Sequence, residues 1–229
     1  PEGYSNAGYA IAGFYVKPSS NGKQLFLGLS GNKGIGFVSL NKGELGNKPW
    51  RFADSTKGVR LLNVLTIAED PLGRLWFGRT SEGWGVYDPK SDKGITYRIA
   101  EGQTNFGAMA SAVDNNGTVW LGGRQGLYYA DGLKPGLTKP SDVTQLRHPL
   151  LAEGTDINAI KLWKNFLVIG IGKRLLLLDL VDFRQHFLAI NSSKRWARIR
   201  YLSPQELNLN ANVEQNCLLV DNRDSSVWL

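Results

Sequence analysis

The fold is indicated most clearly by one segment of the sequence, Thr66-Ile67-Ala68-Glu69-Asp70-Pro71-Leu72-Gly73-Arg74-Leu75-Trp76-Phe77-Gly78. It joins a short apolar run, through an aspartate–glycine turn, to a second apolar run, which is the pattern of a β-hairpin. The second run recurs as Gln24-Leu25-Phe26-Leu27-Gly28, Thr118-Val119-Trp120-Leu121-Gly122 and Phe166-Leu167-Val168-Ile169-Gly170, and Val227-Trp228-Leu229 begins it again. The central positions of these copies, 26, 76, 120, 168 and 228, are spaced by 50, 44, 48 and 60 residues.

A strand-rich repeat of about 40 to 50 residues is typical of β-propeller blades. We therefore predict an all-β protein, one β-propeller fragment over residues 1–229. Four complete four-stranded antiparallel blades are expected at 8–55, 60–100, 106–148 and 156–190, followed by an insertion at 191–212. A partial fifth blade over 213–229 is cut off within the repeated phrase, so the expected propeller is partial and open.

Each copy divides into short strands separated by Asx–Gly turns, and no segment keeps a helical period over 11 residues. The predicted strands are 10–16, 23–29, 34–40 and 49–52 in the first copy; 62–68, 75–80, 85–87 and 95–99 in the second; 119–121, 126–130 and 143–147 in the third; and 157–163, 166–171, 175–180 and 185–190 in the fourth.

The repeated residues have structural explanations. We expect Asp70 and Asp114 to close tight turns through bonds to the backbone, with a glycine three residues later supplying a positive φ. Asp221 occupies the same place before the last copy. The tryptophans of the phrase supply buried area between blades, and its glycines, Gly78, Gly122 and Gly170, permit close approach of strands.

Composition limits the function classes. The chain has 229 residues, 42% of them hydrophobic, and no apolar run near the roughly 20 residues that cross a bilayer. A single cysteine, Cys217, excludes an intrachain disulfide and a cysteine-cluster metal site. The net charge of +7 suits an anionic partner, but a surface made soluble by lysine is the favoured explanation.

The insertion is rich in basic and aromatic residues, among them Lys194, Arg195, Trp196, Arg198, Arg200 and Tyr201. Such interleaving could grip phosphates or bases. An edge strand with basic outward positions explains the same pattern. Since no nucleic-acid motif is present, we do not expect a nucleic-acid partner.

The second copy, together with Gly83-Trp84-Gly85-Val86-Tyr87-Asp88, resembles the two-component regulator propeller repeat: an aspartate–glycine turn, Leu-Trp-(aromatic or aliphatic)-Gly, then a glycine-rich turn before an aliphatic–Tyr–Asp strand. Ala112 to Gly122 with Gly126-Leu127-Tyr128-Tyr129 resembles a second good copy. The first and fourth copies depart from the pattern, because Phe26 and Val168 replace the tryptophan.

The resemblance implies a periplasmic sensor region in front of a transmembrane helix and an output module, usually a histidine kinase and sometimes a cyclic-dinucleotide cyclase. It implies carbohydrate fragments as ligands in some members, and it brings no shared catalytic residues, so the fragment itself is expected to be no enzyme. Membrane attachment would come only through other segments of the parent protein. A homodimer formed through the propeller would serve signal transfer, and the alternative is a protein–protein interaction scaffold.

A ligand site is expected on one rim, where the turns between second and third strands lie beside the links between blades. These turns carry Lys33, Arg79, Arg124, Lys173 and Arg174, which together would attract a saccharide or anionic ligand. The links add Lys57, Arg60, Asn105, Glu153 and Asp156. Trp84 could stack on a sugar ring or could be packed in the core. Plain solvated turns are the alternative to such a site.

Catalysis has little support in the sequence. His148 and His186 fall in predicted fourth strands, away from the central channel, and neither has a neighbouring Ser or Cys partner. No His-x-x-x-His spacing occurs, so we expect no metal and no cofactor. A propeller lyase is therefore less probable than a sensor or a scaffold.

Overall fold

The computed structural model describes residues 11–19, 22–29, 34–41, 44–45, 50–60, 64–79, 83–98, 107–136, 139–151, 156–172, 174–188, 197–202, 219–221 and 226–228. In these residues the regular structure is almost entirely β, with a few short helical turns. Among the described helices, none combines the length and the apolar character needed to span a membrane.

The first repeat forms an antiparallel sheet of five strands. Its strands are β1 (Ile11–Ser19), β2 (Gly22–Leu29), β3 (Ile35–Asn41), β4 (Glu44–Leu45) and β5 (Arg51–Ala53). Two short strands occupy the position of the fourth strand. β4 pairs with one end of β3, and β5 pairs with the other end.

The second and third repeats are four-stranded antiparallel sheets in chain order. The second contains β6 (Thr66–Glu69), β7 (Leu75–Arg79), β8 (Gly83–Asp88) and β9 (Lys93–Arg98). The third contains β10 (Ala108–Val113), β11 (Thr118–Gly123), β12 (Gly126–Asp131) and β13 (Thr144–Leu146). The predicted strands of both copies are confirmed to within a few residues at their ends.

The fourth repeat departs from the prediction. Its strands are β14 (Ile157–Trp163), β15 (Phe166–Ile171), β16 (Arg174–Asp179) and β17 (Ile199–Leu202). The strand predicted at 185–190 is wrong: a short helix α1 (Leu180–Asp182) continues into a π-helical turn, Phe183–Phe187. The fourth strand comes from the insertion, where the edge-strand interpretation is confirmed for Ile199–Leu202.

The fifth copy begins as predicted. β18 (Leu219–Asp221) and β19 (Ser226–Trp228) pair as an antiparallel hairpin, with Leu219 opposite Trp228. The repeated phrase is therefore a strand here as it is in the other copies.

The chain divides into two compact units, Pro1–Ala108 with Gly132–Pro140, and Met109–Asp131 with Ser141–Leu229. In the first unit, one apolar cluster joins the first two sheets through buried residues such as Phe26, Phe37 and Phe77. In the second unit, a larger cluster joins the third and fourth sheets around Trp120 and Phe183, both fully buried. The predicted domain boundaries stay predictions.

Candidate functional site

In the second repeat, both carboxylate oxygens of the turn aspartate are occupied by hydrogen bonds within the protein. Asp70 Oδ1 accepts hydrogen bonds from the backbone N–H groups of Leu72 and Arg74, both at 3.0 Å. Its Oδ2 accepts from Arg74 Nε at 2.7 Å and from Trp76 Nε1 at 2.8 Å. Gly73 has φ +83°, as the turn requires. The predicted capping role of Asp70 is confirmed.

Arg74 carries this network to a distant loop. Its side chain is buried, and its guanidinium donates to the carbonyl oxygens of Gly132, at 3.0 Å, and Gly136. Because the charge of Arg74 is met by Asp70 and its other N–H groups by these carbonyls, the buried cation is well satisfied. It is therefore a structural group and not a binding one.

Asp114 has the same arrangement with a different arginine. Its Oδ1 accepts from the backbone N–H groups of Asn116 and Thr118, and its Oδ2 from Trp120 Nε1 at 3.3 Å. Thr118 stands where Arg74 stands in the preceding repeat, and Arg184, from the π-helical turn, supplies the guanidinium 3.1 Å from Oδ2. The sequence showed the aspartate of this pair but not its partner.

The turns between second and third strands lie beside the entry to the next repeat, as predicted. The backbone N–H of Val64, before the second repeat, donates to the carbonyl of Leu29 at the end of β2. Gly78 of β7 lies against Ala108, the first residue of the third repeat, because a Cβ on Gly78 would stand 2.7 Å from the Ala108 carbonyl oxygen. In the second unit, Arg124 of the β11–β12 turn lies next to Asp156, which directly precedes β14, with Nε 3.9 Å from Oδ1. The structure thus brings together two of the residues predicted for the rim.

Arg124 and Asp156 remain accessible. Their side chains are 52% and 47% exposed, so solvent screens their attraction and the pair contributes little to stability. The carboxylate of Asp156 offsets part of the charge of Arg124, and the predicted cationic ring stays a prediction. Near them, the Gln145 side chain donates to the carbonyl oxygen of Gln125 at 2.8 Å.

Arg174 opens β16 and is exposed. Its guanidinium carbon lies 5.6 Å from the ring centroid of Tyr201 on β17, and Nη1 is 3.4 Å from the Tyr201 hydroxyl. A cation over an aromatic ring is a weak attraction at an exposed site. Arg174 therefore starts at the turn between β15 and β16, and its side chain extends toward the outer strand β17.

Trp84 is packed in the core, which is one of the two alternatives that the sequence left open. It is 4% exposed, its ring stacks on Trp76 at 5.7 Å, and it contacts Tyr97 at 4.8 Å. Since both faces of a ring in such a position are taken up by the core, an exposed platform for a sugar is not formed. The prediction of Trp84 as a ligand-binding residue is therefore wrong, because every residue of β8 from Gly83 to Tyr87 is buried.

The placement of Lys57 on this rim is wrong. Lys57 Nζ lies 2.9 Å from Asp92 Oδ2, in the turn between the third and fourth strands of the second repeat. The link after β5 runs along the outer strand β9 before reaching β6, because Thr96 Oγ1 donates to the carbonyl of Gly58 and accepts from the N–H of Arg60. Arg60 is exposed on this link.

A second charged cluster surrounds Asp92. The Tyr87 hydroxyl donates to Asp92 Oδ1, and burial together with this carboxylate raises the pKa of Tyr87. The hydrogen bonds from Lys57 and Tyr87 hold the pKa of Asp92 below its usual range. Lys57, Tyr87 and Asp92 therefore bond to one another, and the cluster connects the link after β5 to the second sheet.

The remaining predicted rim residues are described only in part. Arg79 ends β7, and its side chain lies outside the described residues. Outside them altogether are Lys33, Asn105, Glu153 and Lys173.

Of the two histidines, the structure describes the side chain of His148 and only the backbone of His186. His148 follows β13, and its Nδ1 accepts a hydrogen bond from the backbone N–H of Leu150 at 3.0 Å. Burial lowers the pKa of His148, which keeps the ring neutral as this acceptor role requires. His186 lies in the π-helical turn and not in the predicted strand. Within the described ranges, no group of three or more His, Cys, Asp or Glu residues could hold a metal ion.

Sequence reasoning missed one polar residue of this rim. Asn158, two residues after Asp156, has a buried side-chain carbonyl oxygen that no hydrogen-bond donor in the described part of the chain reaches. It stands at a bulge of β14, since Ile157 pairs with Ile171 and Ala159 with Gly170. An asparagine in the predicted strand 157–163 was the only available signal.

Comparison with solved structures identifies the architecture. The chain is similar to the extracellular domain of the hybrid two-component system BT3049 from B. thetaiotaomicron, with a TM-score of 0.61 and 17% identity, over 94% of this chain and 26% of that one. It is similar to the corresponding domain of BT4673 from the same organism, with a TM-score of 0.59 and 14% identity, over 95% and 26% of the two chains.

The likeness extends to the RRP9 WD40 repeats, with a TM-score of 0.53 and 13% identity, over 76% of this chain and 49% of that one. The chain has the β-propeller fold. It spans about half the length of the WD40 structure and about a quarter of each two-component domain. No family model matches the sequence, and no curated protein matches it.

Proposed function

We propose that this chain is the ligand-sensing propeller of an extracytoplasmic receptor for two-component signalling and catalyses no reaction itself. The observation that carries the proposal is the likeness over 94% and 95% of the chain to extracellular domains of two hybrid two-component systems. The tryptophan-containing phrase, which resembles the regulator propeller repeat, supports it independently.

The use of the repeated residues points to recognition rather than chemistry. Asp70, Asp114 and their tryptophans are taken up by the turn networks, and His148 holds a turn. What remains for function is the set of side chains on the turns and links. Of these, Arg124 and Arg174 present exposed guanidinium groups that can bind a carboxylate, so the proposed ligand is a small polar molecule, a saccharide or an anion.

The location is tested on the full-length protein in spheroplasts of a bacterium that produces it. Protease added outside should cleave the propeller while a cytoplasmic control protein stays intact. Cleavage only after the membrane has been opened would contradict an extracytoplasmic sensor. The expected signalling role is then measured as a ligand-dependent change in autophosphorylation or cyclase output of the intact receptor.

An interaction scaffold is the second candidate, and the likeness to the RRP9 WD40 repeats favours it. The two candidates differ in the rest of the gene. A membrane helix and a signalling module in the same reading frame support the sensor, whereas a propeller-only chain supports the scaffold. In the sensor, we propose that two propellers associate, which sedimentation of the purified extracytoplasmic region would detect.

A further inference from the structure

Strand β17 is the outermost strand of the fourth sheet in the described part of the chain. Its start is held firmly, because the Arg198 carbonyl oxygen accepts from the Asp179 N–H and the Arg198 N–H donates to Asp182 Oδ2, both at 3.0 Å. An ordered edge strand presents a row of backbone N–H and C=O groups. An extended segment of another chain can pair with such a row and add a strand to the sheet.

The backbone groups of Ile199 and Tyr201 point to the free edge of β17. Arg198 turns its carbonyl oxygen to β16, and the direction alternates along a paired strand, so Arg200 and Leu202 also turn to β16. The residues between them, Ile199 and Tyr201, therefore direct their N–H and C=O groups outward. In agreement, the Tyr201 carbonyl oxygen accepts a hydrogen bond from a side chain, the Arg200 guanidinium, at 3.2 Å.

Arginine side chains flank this edge on both faces of the sheet. Arg198 and Arg200 share one face and stand about 7 Å apart along the strand. Arg200 is exposed, and Arg198 is 71% exposed, with Nη1 3.8 Å from Asp179 Oδ2. On the opposite face, the Arg174 guanidinium lies over the ring of Tyr201, which is 45% exposed. The three arginines outnumber this aspartate, so the edge attracts an acidic partner.

We propose that the free edge of β17 binds an extended acidic segment of a partner protein, which adds to the fourth sheet as an antiparallel strand. Its carboxylates, at alternate positions, would lie opposite Arg198 and Arg200, where directly opposed side chains are closest. Its intervening backbone groups would bond to Ile199 and Tyr201. The incoming N–H would take the Tyr201 carbonyl oxygen, which leaves the Arg200 guanidinium to a carboxylate.

A second copy of the same edge fits less well than an acidic segment, because its arginines would face those of the first and like charges directly opposite each other destabilise a strand pair. The inference concerns a protein partner and goes beyond the small ligand proposed above. It applies to a sensor and to a scaffold alike.

The test is fluorescence anisotropy of a labelled peptide of about ten residues, alternating glutamate and valine, titrated with the purified protein. The peptide should bind, and its affinity should fall as salt is raised. A peptide of alternating lysine and valine should bind at least about tenfold more weakly, because its charges are repelled. Equal affinities of the two peptides would overturn the proposal.

Backbone methylation separates strand addition from plain charge attraction. In the antiparallel pairing, the valine N–H groups bond to β17 and the glutamate N–H groups face away. Methylation of the valine nitrogens should therefore weaken binding at least about tenfold, whereas methylation of the glutamate nitrogens should leave it unchanged. Equal binding of both methylated peptides and the parent would show attraction without strand addition. A loss confined to the glutamate-methylated peptide would contradict the antiparallel pairing.

Variants locate the surface. Arg198→Gln and Arg200→Gln together should weaken binding of the acidic peptide about tenfold or more. Lys161→Gln is the matched control, because Lys161 is an exposed charge on β14, at the other border of the same sheet. Equal losses in the control and the double variant would show a general charge effect.

Two other occupants of this edge are outcomes of the same experiment. Binding of dextran sulfate without binding of the acidic peptide would assign the arginines to an anionic polysaccharide. A dimer in sedimentation that dissociates in the double variant, again without peptide binding, would assign the edge to a second copy. Either result would overturn the inference and leave the proposed sensing role untouched.

Discussion

A buried aspartate can be kept in a propeller turn only if donors surround it, and this chain finds them in two ways. Asp70 takes its arginine from four residues ahead, Arg74, whereas Asp114 takes Arg184 from 70 residues ahead. In both cases the tryptophan indole completes the set. Each aspartate–arginine pair holds charges away from water. Removing one partner would leave the other charge buried and unpaired, so it should lower the free energy of unfolding strongly.

Asp70→Asn tests this at the residue scale. The amide retains an oxygen for the two backbone donors but places an N–H₂ group opposite Arg74 Nε and Trp76 Nε1, where only an acceptor fits. The free energy of unfolding should fall by about 3 kcal/mol in a urea titration.

The control for this variant is Asp88→Asn, in a turn where the aspartate is more accessible and accepts from Lys90 N–H and Ser91 Oγ. It should cost at most about 1 kcal/mol. Equal costs of the two substitutions would show that the Trp–Asp–Arg contact adds nothing to an ordinary turn.

At the scale of elements, the helical segment after β16 replaces an expected strand. Asp179 begins it by accepting from the N–H groups of Val181 and Asp182. Phe183 then packs against Trp120 at 4.9 Å and edge-on against Tyr129 at 5.1 Å. A strand here would leave the face of Trp120 uncovered and Asp114 without its guanidinium.

Phe183→Ala should therefore be costly. The side chain is fully buried, and its loss leaves a cavity between the third and fourth sheets, worth about 3 to 5 kcal/mol of unfolding free energy. Chemical denaturation followed by tryptophan fluorescence measures it. Leu188→Ala, one residue beyond the turn and 44% exposed, should change stability by less than about 0.5 kcal/mol. A cost near that of Leu188→Ala would mean that the segment is not part of the core.

At the scale of the whole molecule, the glycine of the repeated phrase sets how closely one repeat follows another within each unit. A Cβ on Gly78 would lie 2.7 Å from the carbonyl oxygen of Ala108 and would meet its methyl group. On Gly122 it would meet the side chain of Ile157. Both positions adjoin the first residue of the next repeat, so the predicted close approach is confirmed there.

Gly78→Ala should lower the free energy of unfolding by about 1 to 3 kcal/mol, because the obstacle is backbone and cannot rotate away. Gly170→Ala is the matched control at the same place in the phrase, where the added carbon would stand 3.2 Å from the methyl of Ala159. Differential scanning calorimetry compares the two. Should Gly170→Ala prove the more damaging, the glycine would not be acting through spacing between repeats.

The repeat, its phase, most of the strands and the residues of the turns could be predicted from the amino-acid sequence. These features depend on residues close together in the chain: an alternating apolar run, or an aspartate three residues before a glycine such as Gly73. Hydrophobic periodicity and a positive φ depend on residues that are neighbours in the chain, so both can be predicted from the amino-acid sequence.

The ion-pair partners of the charged side chains could not be predicted and are known from the three-dimensional structure. Arg184 meets Asp114, Arg124 meets Asp156, and Lys57 turns to Asp92, each through contacts that no spacing in the sequence encodes. The helix after β16 escaped prediction for the same reason, because its stability comes from Trp120 and not from its own period. The unpaired side-chain oxygen of Asn158 also became visible only in the structure, because its neighbours come from distant parts of the chain.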